Sequence, residues 1–284
     1  MAFWIQLLGL ALPVAALERL PALRRRRAPF FRPGLASDAL YLVTGYGAGA
    51  SLAAAYILEG SRWCGAALGI PRLGSAGLPL WATAPLALLA LDLGNYGVHL
   101  LLHRVDALWE LHKVHHSSPA LDWLATFRSH LLEQALRRLL APLLLILLGV
   151  PGDALALAYG IFLAFAIANH ANLALPLRRL EPVFVTPRLH RLHHVPETTE
   201  CNLGTVFSGW DRLRGTLVRE ETEPDAALGV PGELASYPQG FARQLVEPLS
   251  RLLPQSAARG PTAARRRAST AGAARSRRSA PSSS

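Results

Sequence analysis

Histidine is the residue type in this chain whose spacing most clearly suggests chemistry. All ten histidines fall between His99 and His194. Spacings of three and four residues place side chains on one face of a helix, so each short box of histidines presents a strip of imidazoles. Three boxes have this spacing, and they consist of His99, His103, His112, His115, His116, His190, His193 and His194. With the single residues His130 and His170, the ten candidate ligands are too many for one ion, and a centre of two metal ions is predicted.

The residue types limit which metal chemistry fits these boxes. Neutral imidazole binds iron, zinc, copper and nickel. A closed structural zinc site often uses cysteine, and the chain has only Cys64 and Cys201. The sequence contains no HExxH metalloprotease motif, no Gly-x-Ser-x-Gly nucleophile elbow and no glycine-rich phosphate loop. A lone histidine is more often a packed residue than a ligand, and this alternative applies to His130 and less strongly to His170.

The composition indicates a membrane environment for these boxes. The chain is 51% hydrophobic with a formal net charge of +10, and its mean hydropathy is +0.25. These values favour an integral membrane protein with water-facing loops. The arginines lie beside apolar runs and in the C-terminal tail, so we predict an anionic membrane surface as their partner and no nucleic acid.

The apolar runs predict an all-α fold, an integral membrane bundle of about four to five membrane helices or hairpins. Ser37 or Asp38 is expected to cap the second helix. The sequence Gly149-Val-Pro-Gly152 predicts a tight hairpin between the last two runs. The five runs are residues 1–17, 38–58, 79–102, 138–150 and 153–169.

The membrane sidedness of the histidines can be predicted by counting crossings. Positive residues favour the cytoplasmic side, so Arg24 to Arg27 are expected there. Counting from that point puts every histidine group on the same side. The sequence therefore predicts a histidine-rich dimetal helical cap on the cytosolic face, with the active site at that face of the membrane.

The boxes and the segments around them resemble the fatty acid hydroxylase/sterol desaturase superfamily of membrane di-iron oxygenases. That family has an HxxxH box followed by two HxxHH boxes, with an aspartate and a tyrosine upstream, matched here by Asp92 and Tyr96. The resemblance covers about residues 85–217, with Leu100 and Leu131 as departures from the family pattern. The other matching segments are Leu108–Ser117, Leu121–His130, His170–Asn172, Pro187–His194, Asn202–Gly204 and Trp210–Thr216.

The resemblance implies an O2-dependent oxidoreductase that hydroxylates or desaturates a lipid: a sterol, fatty acyl chain, ether lipid or carotenoid. It implies two iron ions, which zinc could replace in a purified form, and gives His130 and His170 a ligand role. Electrons would come from an external donor, a reductase with a ferredoxin or cytochrome b5-like carrier. Side chains that could orient the imidazoles by hydrogen bonds are Asp92, Glu133, Asn202 and Asp211.

Four segments are predicted on this basis. Residues 1–78 form N-terminal membrane helices and a loop, and 79–219 form a fatty acid hydroxylase-like catalytic domain. Residues 220–253 form a C-terminal extension, and 254–284 form a disordered tail rich in arginine, alanine and serine. The alternatives are a non-catalytic metal-binding or metal-transport membrane protein and a metal hydrolase. Ligands collected at one membrane face favour the enzyme, since transporters bind their cargo near the bilayer midplane.

Overall fold

The computed structural model describes residues 2–27, 29, 31–69, 72–220 and 226–253. These residues form α-helices and no strands, apart from two isolated β-bridges, which agrees with the predicted all-α fold. A π-helical turn, Leu42–Gly47, joins the second and third helices. The tail predicted at 254–284 lies outside the described residues. The helices are α1 (Ala2–Leu17), α2 (Leu35–Tyr41), α3 (Ala48–Leu68), α4 (Leu80–Arg104), α5 (Asp106–His116), α6 (Leu131–Leu140), α7 (Leu143–Leu148), α8 (Gly152–His170), α9 (Pro187–His193), α10 (Gly209–Arg214) and α11 (Phe241–Leu252).

Helices α4 and α8 form the centre of the bundle and pack extensively against each other. Small alanines at the contact, such as Ala87 and Ala158, are fully buried and allow the close approach. A methyl group on Gly94 would lie 2.0 Å from the Ala141 carbonyl oxygen, so α4 can pass α6 here only with glycine. Both helices end in histidine-bearing turns, so their packing brings the ligands of distant sequence segments together.

In the described part of the chain, α4 and α8 are long and apolar enough to cross a membrane. The apolar run 138–150 is divided at Pro142, which lacks an N–H donor, and its second part, α7, has only six residues. Six residues of helix measure about 9 Å, far less than the roughly 30 Å of bilayer hydrocarbon. This run is therefore not a single crossing helix, and the number of four to five membrane elements stays a prediction.

Hydrogen bonds show which loop segments meet at each end of the bundle. At one end, the Gly74 N–H donates to the carbonyl oxygen of Gly149, where the chain turns with a positive φ of 59°. At the other end, one carboxylate oxygen of Glu18 accepts hydrogen bonds from the backbone N–H groups of Trp123 and Asn172. The Arg25 N–H also donates to the Asn172 carbonyl. The basic segment that follows α1 therefore lies at the same end as the histidines.

The prediction that Ser37 or Asp38 caps a helix is wrong. Helix α2 begins at Leu35 after Gly34, which has a φ of 84°, and no side chain caps it. Asp38 lies inside the helix, fully buried, and binds the guanidinium groups of Arg128 at 2.5 Å and Arg32 at 2.7 Å. Two buried cations attract a carboxylate more strongly than the amides of a helix start, so tertiary contacts override the local preference.

The segment 226–253 packs against α2 and α5. Helix α11 contacts α2 and α5, and the Gln244 side chain donates to the hydroxyl of Ser117. Glu233 pairs with the buried ammonium group of Lys113 at 2.7 Å. This C-terminal segment thus covers α5, the helix that carries the second histidine box.

Candidate metal centre

Nine of the ten histidines converge in two adjoining groups, and all nine are buried. Within each group the candidate ligand atoms lie within 4.8 Å of one another. Helices α5 and α9 each contribute to both groups, and His194, the residue after α9, belongs to the second group. The first group is His99, His103, His112, His116 and His193, and the second is His115, His170, His190 and His194.

Backbone carbonyls and one carboxylate fix the orientation of several rings. The Nδ1–H of His99 donates to the Leu203 carbonyl at 2.7 Å, and that of His112 donates to Glu133 at 2.9 Å. With Nδ1 protonated, a neutral imidazole keeps an unprotonated lone pair on Nε2. These two Nε2 atoms lie 3.1 Å apart, so two lone pairs point into the same small space.

The second group repeats this arrangement. The Nδ1–H of His115 donates to the Arg128 carbonyl, and that of His170 donates to the Ala166 carbonyl, both at 2.9 Å. Their Nε2 atoms are 3.3 Å apart, and the Nε2 atoms of His170 and His190 are 3.0 Å apart. Two nitrogens bound at about 2.1 Å and at right angles around one ion would be about 3.0 Å apart, so these separations suit a shared metal.

Burial keeps the rings in the form that binds metals. Desolvation lowers the pKa of the α5 and α9 histidines well below the usual value, and neighbouring imidazoles lower it further. The rings are therefore neutral near pH 7, which is the ligating state of imidazole. The same direction holds for His115, His190 and His194.

The residues present fit a pair of metal ions. Among the described residues, neither ring nitrogen of His116 has a hydrogen-bond partner, and the same is true of Nε2 of His193. A buried polar atom without a partner is costly, and a bound metal would satisfy Nε2 of His193 and one ring nitrogen of His116. The all-imidazole donor set suits a transition metal and differs from the oxygen ligands that calcium and magnesium prefer.

His130 is the exception, because the structure does not bring it together with the other nine predicted ligands. Its Nε2–H donates to the Leu245 carbonyl at 3.1 Å, and its Nδ1 accepts from the Leu132 N–H at 3.2 Å. Both ring nitrogens are occupied in this way, and His130 caps the start of α6 outside both groups. Of the two single histidines, His130 therefore has a structural role as a helix cap, whereas His170 lies within the second group.

The four predicted orienting side chains divide into two kinds. Glu133 contacts an imidazole directly. Asp92, on α4, accepts hydrogen bonds from the N–H groups of Val206 and Phe207 and from the Trp210 indole. Asp211 accepts from the N–H of Leu203, whose carbonyl holds His99. Asn202, with a φ of 55°, donates to the Leu189 carbonyl. These three hold the loop behind the ligands and make no direct contact with a ring.

Comparison with known proteins agrees with this geometry. Residues 84–216, which include all ten histidines, match the family described as fatty acid hydroxylase. The histidine-bearing region of the chain is thus similar to the fatty acid hydroxylase family. It is 31% identical over 175 residues to ornithine lipid hydroxylase OlsE of Rhizobium tropici, which covers 61% of this chain and 52% of that protein.

Alkylglycerol monooxygenases are also similar to this chain. The Danio rerio protein is 31% identical over 138 residues, and the Homo sapiens protein is 28% identical over 137 residues. These matches cover 48% and 47% of this chain and 30% of each relative. The chain thus spans about half the length of the ornithine lipid hydroxylase and less than a third of the monooxygenases. No solved structure gave a significant match.

The carbonyl partners of the histidine rings could not be identified from residue types. Leu203, Arg128, Ala166 and Cys201 hold rings through backbone oxygens, which every residue carries. Glu133 differs, because it holds the His112 ring through a side-chain carboxylate and was among the four predicted orienting residues.

We expect Glu133→Gln to lower metal affinity or turnover by roughly 10–100-fold, the usual effect of losing an outer partner of a metal-bound histidine. Glutamine can still accept a hydrogen bond from His112 but removes the negative charge that makes the imidazole a stronger donor to a metal. Metal titration of the purified protein measures the change. The control is Glu59→Gln, which removes an exposed carboxylate paired with Arg62. Equal metal affinities in both variants would contradict a role for the charge.

Proposed function

We propose that this protein is a membrane di-iron oxygenase that hydroxylates or desaturates a lipid with O2 and external electrons. The observation that carries the proposal is the convergence of ring nitrogens from nine buried histidines in two adjoining groups, with Nε2 left unprotonated on rings such as His99 and His115. The named activities of the relatives, an ornithine lipid hydroxylase and alkylglycerol monooxygenases, support a lipid as substrate.

The two histidine groups would each hold one iron, and the metals, when bound, would supply the oxidising power for a C–H bond. The protein's own residues have three tasks. The Nε2 atoms bind the metals, and the carbonyls of Leu203, Arg128 and Ala166 hold the rings in orientation. The apolar faces of α4 and α8 exclude water and place the centre beside hydrocarbon.

The partners follow from the same proposal. The substrate would reach the centre from the membrane, and an external reductase with a ferredoxin or cytochrome b5-like carrier would supply electrons. The arginine-rich segment after α1, at the same end as the histidines, supports a cytoplasmic location for the centre. Ligands at the ends of α4 and α8, and not midway along them, favour an enzyme over a metal transporter.

The proposal is tested by lipid analysis of cells that express the wild-type chain or the His115→Ala variant. We expect one lipid class in wild-type cells to gain an oxygen atom or lose two hydrogen atoms, and this product to disappear with His115→Ala. His130→Ala is the matched control, because His130 lies outside both groups, and it should retain the product. Identical lipid profiles, together with full metal content in the wild-type protein, would contradict the proposed oxygenase activity. They would favour a non-catalytic metal-binding protein.

A further inference from the structure

A cavity of about 460 Å³ lies beside the metal centre and extends along α8. Its walls include Ala166, near the histidine-bearing end of that helix, and Gly152 at the other end. These residues are separated by about 21 Å at the helical rise of 1.5 Å per residue. The volume lies within the range of about 300–1,000 Å³ that small-molecule sites occupy. The cavity therefore has room for an extended hydrocarbon chain.

One end of the cavity adjoins the metal ligands. The carbonyl oxygen of the wall residue Ala166 accepts the Nδ1–H of His170. Arg137, also in the wall, donates to the Glu133 carboxylate, which in turn accepts from His112. Each histidine group thus has a ligand that is connected to the cavity wall by hydrogen bonds.

The charged and the aliphatic side chains of the cavity wall lie in different parts of it, and Gln6 and Tyr159 add uncharged polar groups between them. The end near the ligands contains the side chains of Gln134, Arg137 and Arg138 from α6. The opposite part is formed by aliphatic residues, among them Leu58 and Leu155. This separation matches an amphiphile whose polar group lies near the metal centre and whose chain points away from it.

Arg138 contributes a positive charge to the cavity wall. Its Nη2 donates to the Gly45 carbonyl at 2.7 Å and to the Gln134 side chain at 3.3 Å, and its guanidinium stacks on Tyr46. Within the described ranges no carboxylate pairs with it, whereas Arg137 has Glu133. A cation that is half-buried beside an apolar cavity and bonded only to neutral acceptors is poorly compensated.

We propose that this cavity binds an anionic amphiphile with its carboxylate or phosphate group at Arg138 and its hydrocarbon chain along α8 toward Gly152. Arg138 retains Nε and Nη1 as donors, since its bonds to the protein use Nη2. An anion at this position would complete the hydrogen bonding of the guanidinium. The inference rests on the proposed function only in treating this ligand as the substrate, and it adds the charge and orientation of that substrate.

The opening of the cavity is lined by small side chains. Ala54 on α3 and Ala156 on α8 both line the cavity and are exposed at the surface. Helix α3 packs mainly on α7, and α8 packs mainly on α4, so α3 and α8 leave space between them. This arrangement would let an amphiphile enter sideways from the hydrocarbon layer.

The test is equilibrium binding to the purified, metal-loaded full chain in a neutral detergent. The probes are oleate, an oleoyl glycerol phosphate and uncharged oleyl alcohol. We expect at least one anionic probe to bind roughly tenfold more tightly than the alcohol, because charge-assisted hydrogen bonds are about twice as strong as neutral ones. The tighter of the two anions tells whether the site prefers a carboxylate or a phosphate.

We expect Arg138→Gln to remove the preference for the anionic probes and to leave the binding of oleyl alcohol unchanged. The control Arg62→Gln alters an exposed arginine on α3 and should leave all three affinities unchanged. Ala54→Trp should weaken all three probes by blocking the opening, whereas Leu52→Trp, at an exposed position outside the cavity, should not.

Three results would overturn the proposal: equal affinities for the three probes, an unchanged preference in Arg138→Gln, or unchanged binding in Ala54→Trp. These binding measurements need no turnover. A failure here would leave the lipid comparison with His115→Ala intact. An unchanged lipid profile, in turn, would leave the anion site standing as a binding site.

Discussion

Replacing His116 by glutamine is expected to reduce the metal content from about two ions per chain to about one or fewer and to abolish turnover. Neither ring nitrogen of His116 has a hydrogen-bond partner among the described residues, so metal binding is the task left for this buried ring. Loss of a direct ligand should exceed the roughly 10–100-fold effect of losing an outer partner. Elemental analysis of protein purified under anaerobic, reducing conditions measures the ions, and product formation measures turnover.

His130→Gln is the control that separates the two interpretations of the histidines. His130 is also buried and within the same stretch of sequence, but its nitrogens already bond to Leu245 and Leu132. We expect this variant to keep its metals and to lose only the contribution of a helix cap, typically about 1 kcal/mol of stability. Metal loss in His130→Gln, or full metal content in His116→Gln, would contradict the two-group assignment.

Replacing Asp38 by asparagine is expected to destabilise the fold by about 3–5 kcal/mol, the usual cost of removing one partner of a buried ion pair. Asp38 and Arg128 are fully buried, and Arg32 also depends on this carboxylate. Asparagine preserves the shape but leaves the guanidinium of Arg128 without its nearest countercharge. The expected fall in the thermal midpoint is roughly 6–20 °C.

The consequence should extend to the metal centre, because the Arg128 carbonyl holds the ring of His115. Metal affinity is therefore measured on the same samples as thermal stability. Glu247→Gln is the control, since it breaks a partly exposed ion pair with Arg251 within α11, worth about 0.3–0.5 kcal/mol. A midpoint in Asp38→Asn as high as in this control would show that the buried network does not stabilise the fold.

Local patterns were reliable where neighbours in sequence are also neighbours in space. The histidine spacing correctly placed His112, His115 and His116 on one helix, and the apolar runs at 79–102 and 153–169 correspond to α4 and α8. The cap prediction at Asp38 failed because its partners, Arg32 and Arg128, include a residue 90 positions away. A pattern of neighbouring residues in the sequence cannot identify such a distant partner.

The division of the α5 box illustrates the same limit. His112 and His116 belong to the first group, and His115, between them, belongs to the second. The i, i+3 and i+4 spacing puts all three on adjoining faces of one helix, and that spacing alone cannot tell which group each ring joins. The positions of α4, α8 and α9 around α5 decide it.

By itself, the sequence determined the all-helical architecture, the chemistry of the donor atoms and the helical strips that carry them, because these depend on residue type and short-range spacing. Only the tertiary structure decided that nine histidines converge while His130 caps a helix, and that Arg138, bonded to neutral acceptors among the described residues, lies beside a cavity. Those outcomes depend on the packing of helices far apart in the chain. Backbone carbonyls then select the protonated nitrogen of several rings, and no side-chain pattern encodes where such carbonyls come to lie.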